Sequence, residues 1–226
     1  MRVIYVAIIW FFSLKKSFGQ NTVVTIKAGE DISALYKHIY EYPVFSPGTV
    51  FFNDGTKARS KMNLNLLLEV MQFINEKGDT LALADENTIK YITVRTDTFL
   101  FQEGYLQLVS TYGKTELATR QKIKFLNEKN IGAYGISTST HTIDNYNTLR
   151  ANNTYALKVN KDLLYSKERK YYFNKAKHGF IPANKKNVLK VFSDKKGLVE
   201  KYLEERNPDY NNEGDLKSLF VYLADF

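Results

Sequence analysis

Between residues 46 and 101 the apolar positions come in short blocks, separated by turn-forming residues at Asn53-Asp54-Gly55, at Asn75 to Asp79, at Asp85-Glu86-Asn87 and at Thr96-Asp97. That rhythm predicts a run of β-hairpins. One part of it fits two periods. Between residues 62 and 74, Met62, Leu64, Leu66, Leu68, Val70 and Ile74 share a face at period two, whereas Leu64, Leu67, Leu68 and Met71 make a helical stripe. The compact turn that follows, leading straight into residues 80–84, favours a strand that pairs as a hairpin. On that reading Leu67 lies on a mixed face with Asn65 and Glu69.

The same alternation continues through residues 89–95, 98–102, 105–110 and 116–127; in the last, Leu117, Thr119, Gln121, Ile123 and Phe125 alternate with charged or small residues. Upstream, residues 22–26 read as a short strand. Residues 31–40 read as a short helix capped by Asp31, with Ile32, Leu35, Tyr36 and Ile39 at helical spacing. Residues 132–142 are glycines and small hydroxyl residues, which predicts a loop, and strands resume at 154–159 and 169–174. The C-terminal portion, 184–226, is helical in pattern. Asn184 caps a short helix, Ser193 or Asp194 caps a second that ends at Asn207-Pro208, and Asn212 caps a third carrying Leu216, Leu219, Phe220 and Leu223.

These elements predict a mainly β (α+β) fold: an antiparallel β-meander forming an open or partly closed sheet, with the C-terminal helical segment packed on it. A single β-rich domain spans residues 20–226, with a sub-boundary in the loop 132–150. Residues 1–19 read as a signal peptide. Arg2 precedes the ten-residue apolar run from Val3 to Phe12, and Ser17-Phe18-Gly19 offers small residues for cleavage. Ten apolar residues are too few to span a bilayer, so no permanent transmembrane segment is expected, and the predicted address is the periplasm, the outer membrane or the medium.

Composition removes chemistry more than it supplies it. The absence of cysteine excludes thiol catalysis and cysteine-ligated metals. His38, His141 and His178 are scattered, and the turn aspartates Asp54, Asp79 and Asp97 have no calcium-loop spacing, so no catalytic residue, metal ligand or cofactor site is assigned. The distinguishing feature is charge. Of a formal net charge of +8, much is concentrated between Lys158 and Lys196, where twelve basic residues face three acids. Tyr165, Tyr171, Tyr172, Phe173 and Phe180 are interleaved with them. The candidate anion-binding residues are Lys167, Arg169, Lys170, Lys175, Lys177, Lys185, Lys186, Lys190, Lys195 and Lys196. Lys185, Lys186, Lys195 and Lys196 fall at predicted helix starts, where exposure is expected.

Several stretches carry a resemblance: residues 46–83, Tyr134-Gly135, residues 180–192 and the ending EGDLKSLFVYL (213–223). Together they resemble functionally uncharacterised exported proteins of Bacteroidetes-type bacteria. The resemblance implies a signal peptide and an envelope or extracellular address, and brings no catalytic residue with it. The function expected is that of a non-catalytic secreted or cell-envelope protein, binding a protein or glycan partner or an anionic surface through its sheet edge or basic face. Export disfavours nucleic acid. The alternatives are an enzyme acting on an acidic envelope polymer and a carrier holding a small apolar ligand in a curved sheet.

Overall fold

A computed structural model describes residues 22–30, 33–131, 137–139, 162–175 and 179–225. The signal segment, Asp31 as a cap, the strand at 154–159, most of the loop 132–150 and Lys177 lie outside them. The chain runs β1 (Thr22–Ile26), α1 (Ser33–Ile39), β2 (Ser46–Phe52), β3 (Lys57–Asn65), β4 (Val70–Ile74), β5 (Thr80–Ala82), β6 (Ile89–Val94), β7 (Asp97–Phe101), β8 (Tyr105–Tyr112) and β9 (Thr115–Ile131). It continues with β10 (Ser137–Ser139), β11 (Asp162–Lys175), β12 (Ile181–Pro182), α2 (Lys185–Val191), α3 (Lys196–Arg206) and α4 (Glu213–Ala224). The strands form one open antiparallel sheet in the order β1-β11-β9-β8-β7-β6-β2-β3-β4-β5, with β10 added to β9 and β12 to β11.

Turn chemistry sets the meander. Asp54 Oδ1 accepts from the Thr56 N–H at 2.8 Å and from its hydroxyl at 2.7 Å, and Asn75 Oδ1 accepts from the Lys77 and Asp79 N–H groups. Such side chains stand in for backbone partners and make a tight reversal possible. Gly48 serves a different need. A Cβ there would come within 2.8 Å of the Thr93 carbonyl oxygen and 3.0 Å of Met62 Sδ, so β2 can lie this close to its neighbours only with glycine.

Residues 62–74 are strand in type, but not one strand. They fold as the hairpin β3–β4, with Leu66 to Glu69 as its turn. Asn65 is the cause: its Oδ1 accepts from the N–H groups of Leu67 and Leu68 at 3.1 and 3.0 Å, and Glu69 takes a left-handed φ of 57°. The turn is apolar because it is not in solvent. Leu66 donates its N–H to the Ile39 carbonyl, and the Ile123 N–H of β9 donates to the Leu66 carbonyl at 2.9 Å, so the sheet curls until this tip meets β9. Two other expectations change. Ser137–Ser139, inside the predicted loop, pair with β9 as a strand. Neither Ser193 nor Asp194 caps α3, because residues 193–195 form a 3-10 turn that runs directly into it.

Side chains in one phase of β9 bury two separate cores. Ile123 belongs to a first cluster with Val50, Met62, Leu66, Met71, Ile92, Phe99 and Tyr165, inside the curled meander. Leu117 belongs to a second with Tyr171, Phe173, Val188, Phe192, Val199, Leu219 and Phe220, where α2, α3 and α4 pack on the sheet. Between them on the same face lie Thr119 and Gln121, both buried and polar. The helices are fixed as the pattern predicts: Asn184 Oδ1 accepts from the Asn187 N–H at 2.9 Å, and Asn212 Oδ1 from the Asp215 N–H at 3.1 Å. No helix among the described residues is long and apolar enough to cross a membrane.

Candidate anion-binding surface

Strand β11 distributes its charges over both faces of the sheet. Arg169, Tyr171, Phe173 and Lys175 alternate toward the helices, and Tyr171 and Phe173 are buried in the second core. The cations of that row have partners. Arg169 donates to Gln121 Oε1 at 3.0 Å and lies 3.8 Å from a Glu213 carboxylate oxygen. Lys175 pairs with Asp194 at 2.6 Å, a contact that holds the Asp194 carboxyl below its usual range. Lys167 is close enough to Glu41 to oppose the effect of burial on that carboxyl. Lys170 is exposed on the opposite face.

The helical residues divide in the same way. Lys195 does not stand free at a helix start. Its Nζ donates to the Tyr112 hydroxyl at 2.8 Å and to the Leu223 carbonyl at 2.9 Å, satisfying an acceptor that the last turn of α4 leaves open. Lys196 makes an exposed i,i+4 pair with Glu200 at 3.6 Å, of small energetic consequence. Lys185, Lys186 and Lys190 of α2 are exposed and form no ion pair among the described residues. Lys177 lies outside the described residues. The nine described candidates are therefore split between two sheet faces and the helices, and those exposed with no ion pair among the described residues are Lys170 of β11 and the three lysines of α2. The interleaved aromatics are mostly interior: Tyr165, Tyr171, Phe173 and Phe180 are all buried.

No protein-family model, curated protein or solved structure matches the chain.

A polar seam joins the two cores beneath this surface. Gln121 Nε2 donates to Glu41 Oε1 at 2.9 Å while Gln121 Oε1 accepts from Arg169, and Glu213 accepts from Lys217 at 2.6 Å. Glu41 Oε2 is buried and has no hydrogen-bond partner among the described residues. Burial raises the Glu41 carboxyl above its ordinary value, with Lys167, Gln121 and Arg169 pulling it back. The seam has a signal in the sequence: Thr119 and Gln121 fall in the apolar phase of the β9 alternation, where a polar residue needs a buried partner. Glu41 itself, one residue beyond a predicted helix, carries no such mark. Among the described residues, no group of three or more His, Asp or Glu side chains is placed to hold a metal ion.

Proposed function

We propose that the chain is a non-catalytic protein of the cell envelope or the exported fraction, binding a protein or glycan partner through a basic face centred on α2. One observation carries this reading. Lys185 and Lys186 occupy the first turn of α2, where the helix has no acidic residue and the backbone dipole disfavours cations. They are exposed, so they contribute no packing that would compensate for it. Charge placed against local preference is characteristic of residues used for recognition. The interior of the curled sheet favours this over a carrier, since Met62, Leu66, Met71, Phe99 and Tyr165 fill it with fully buried side chains.

A specific observation supports the second reading, an enzyme acting on an acidic polymer. Glu41 is a carboxyl that burial raises, as a general acid requires, with Lys167 and Arg169 acting in the opposite direction. Incubation with an acidic polysaccharide separates the two. Retention of the polymer with no new reducing ends is expected; chain shortening that Glu41→Gln abolishes would make the protein an enzyme.

A further inference from the structure

On the sheet face turned away from the first core, strands β6, β2 and β3 lie side by side. Their register sets Thr49 between Thr93 and Arg59, and Pro47 beside Lys61. Arg95, one residue past β6, donates its N–H to the Pro47 carbonyl at 3.1 Å. The middle strand therefore presents the small residues Pro47, Gly48 and Thr49, while its neighbours raise Arg59 and Lys61 on one side and Arg95 on the other. Together they line an open groove of about 560 Å³. Adjacent strands are ~4.8 Å apart, so the cationic walls stand about 10 Å from each other, the width of one extended chain.

Arg59, Lys61 and Arg95 are exposed, and none of them forms an ion pair among the described residues. Arg95 is oriented from below: its guanidinium lies 5.8 Å from the centre of the Tyr42 ring, and the Tyr42 hydroxyl donates to Asp97 at 2.6 Å. Two guanidinium forks and a lysine over a floor with threonine hydroxyls suit carboxylate or sulfate groups and the hydroxyls of sugars. A nucleic acid strand would also need free aromatic faces on which to stack bases. Phe51, two residues beyond Thr49 on β2, does not provide one, because it is stacked on Tyr91 at 4.4 Å and covered by Lys57 at 4.9 Å.

We propose that this groove binds an acidic polysaccharide laid along β2, its negative groups held by Arg59, Lys61 and Arg95. The site is separate from the α2 lysines and does not rest on them. Its test uses calorimetric titration with oligogalacturonate, with a heparin oligosaccharide and with oligo-dT of matched charge, in a background where Lys185, Lys186 and Lys190 are glutamine. In that background both glycans should still bind, and the further changes R59Q, K61Q and R95Q should weaken them tenfold or more at an unaltered melting temperature. Should the triple change disturb folding, Lys61→Glu alone is expected to cost at least threefold. Unchanged glycan affinity would overturn the groove, and oligo-dT bound as tightly as the glycans would overturn its assignment to polysaccharide. Loss of binding on removing the α2 lysines alone would show that they are the only anion site, and would also overturn it.

Discussion

Asn63 binds Tyr42 twice through the backbone: the Tyr42 N–H donates to Asn63 Oδ1 at 3.1 Å, and Asn63 Nδ2 donates to the Tyr42 carbonyl at 2.8 Å. One buried amide on β3 thereby replaces a strand neighbour for the segment after α1, and sets the ring that lies under Arg95. Asn63→Ala should cost roughly 1–3 kcal/mol for each backbone group left unsatisfied, which chemical denaturation would measure. A loss within error of zero would show that water replaces both bonds.

Leu67 is buried at the tip of the β3–β4 hairpin, although the alternation placed it on a mixed face. Leu67→Thr should therefore destabilise the protein by about 2 kcal/mol or more, as for other truncations of buried leucine. The reading of residues 62–74 as one strand implies a cost below about 1 kcal/mol, so the denaturation midpoint of this single variant decides between them.

That segment shows where the sequence was legible and where it was not. Period-two alternation and Asn, Asp and Gly turns identified most strands of the meander because each signal is local. Asn65 also initiates a turn, but three leucines follow it, and an apolar turn arises only from a docking partner, here β9, that lies 57 residues away by the Leu66–Ile123 bond. The site divides along the same line. The excess of lysine and arginine in β11 and the helices is visible in composition, whereas its pairing with Glu213 and Asp194, and the Arg169 hydrogen bond to Gln121, depend on which strands and helices become neighbours. The groove formed by Arg59, Lys61 and Arg95 was hidden for that reason too, since only the pairing of β2 with both β3 and β6 unites them.

Glu41 gives the fold a pH dependence of definite sign. Its carboxyl is raised, chiefly by burial, so the folded state holds the proton more tightly than the unfolded chain does. Its stabilising contribution is complete below the ordinary glutamate value of about 4.3 and is lost as pH climbs through the folded value. Glu41→Gln should melt above the parent at neutral pH, with the difference closing toward pH 4. Parallel melting curves across that range would contradict the assignment.

The first turn of α2 predicts opposite effects on stability and binding. Replacing Lys185 and Lys186 by glutamate should raise stability by about 0.3–1 kcal/mol per site through the helix dipole, while weakening retention on an anionic surface. Thermal denaturation would show it. A fall in stability would mean that the two lysines make contacts that hold the fold.

The most direct test of the proposed function is the salt concentration at which the protein leaves a heparin column, compared with the variant carrying Lys185→Gln, Lys186→Gln and Lys190→Gln. Attraction between exposed charges is screened within about 8 Å at physiological ionic strength, so the parent should elute sharply as salt rises. The variant is expected to keep its melting temperature and to elute at clearly lower salt. Elution of both proteins at the same salt concentration would contradict a binding face centred on α2.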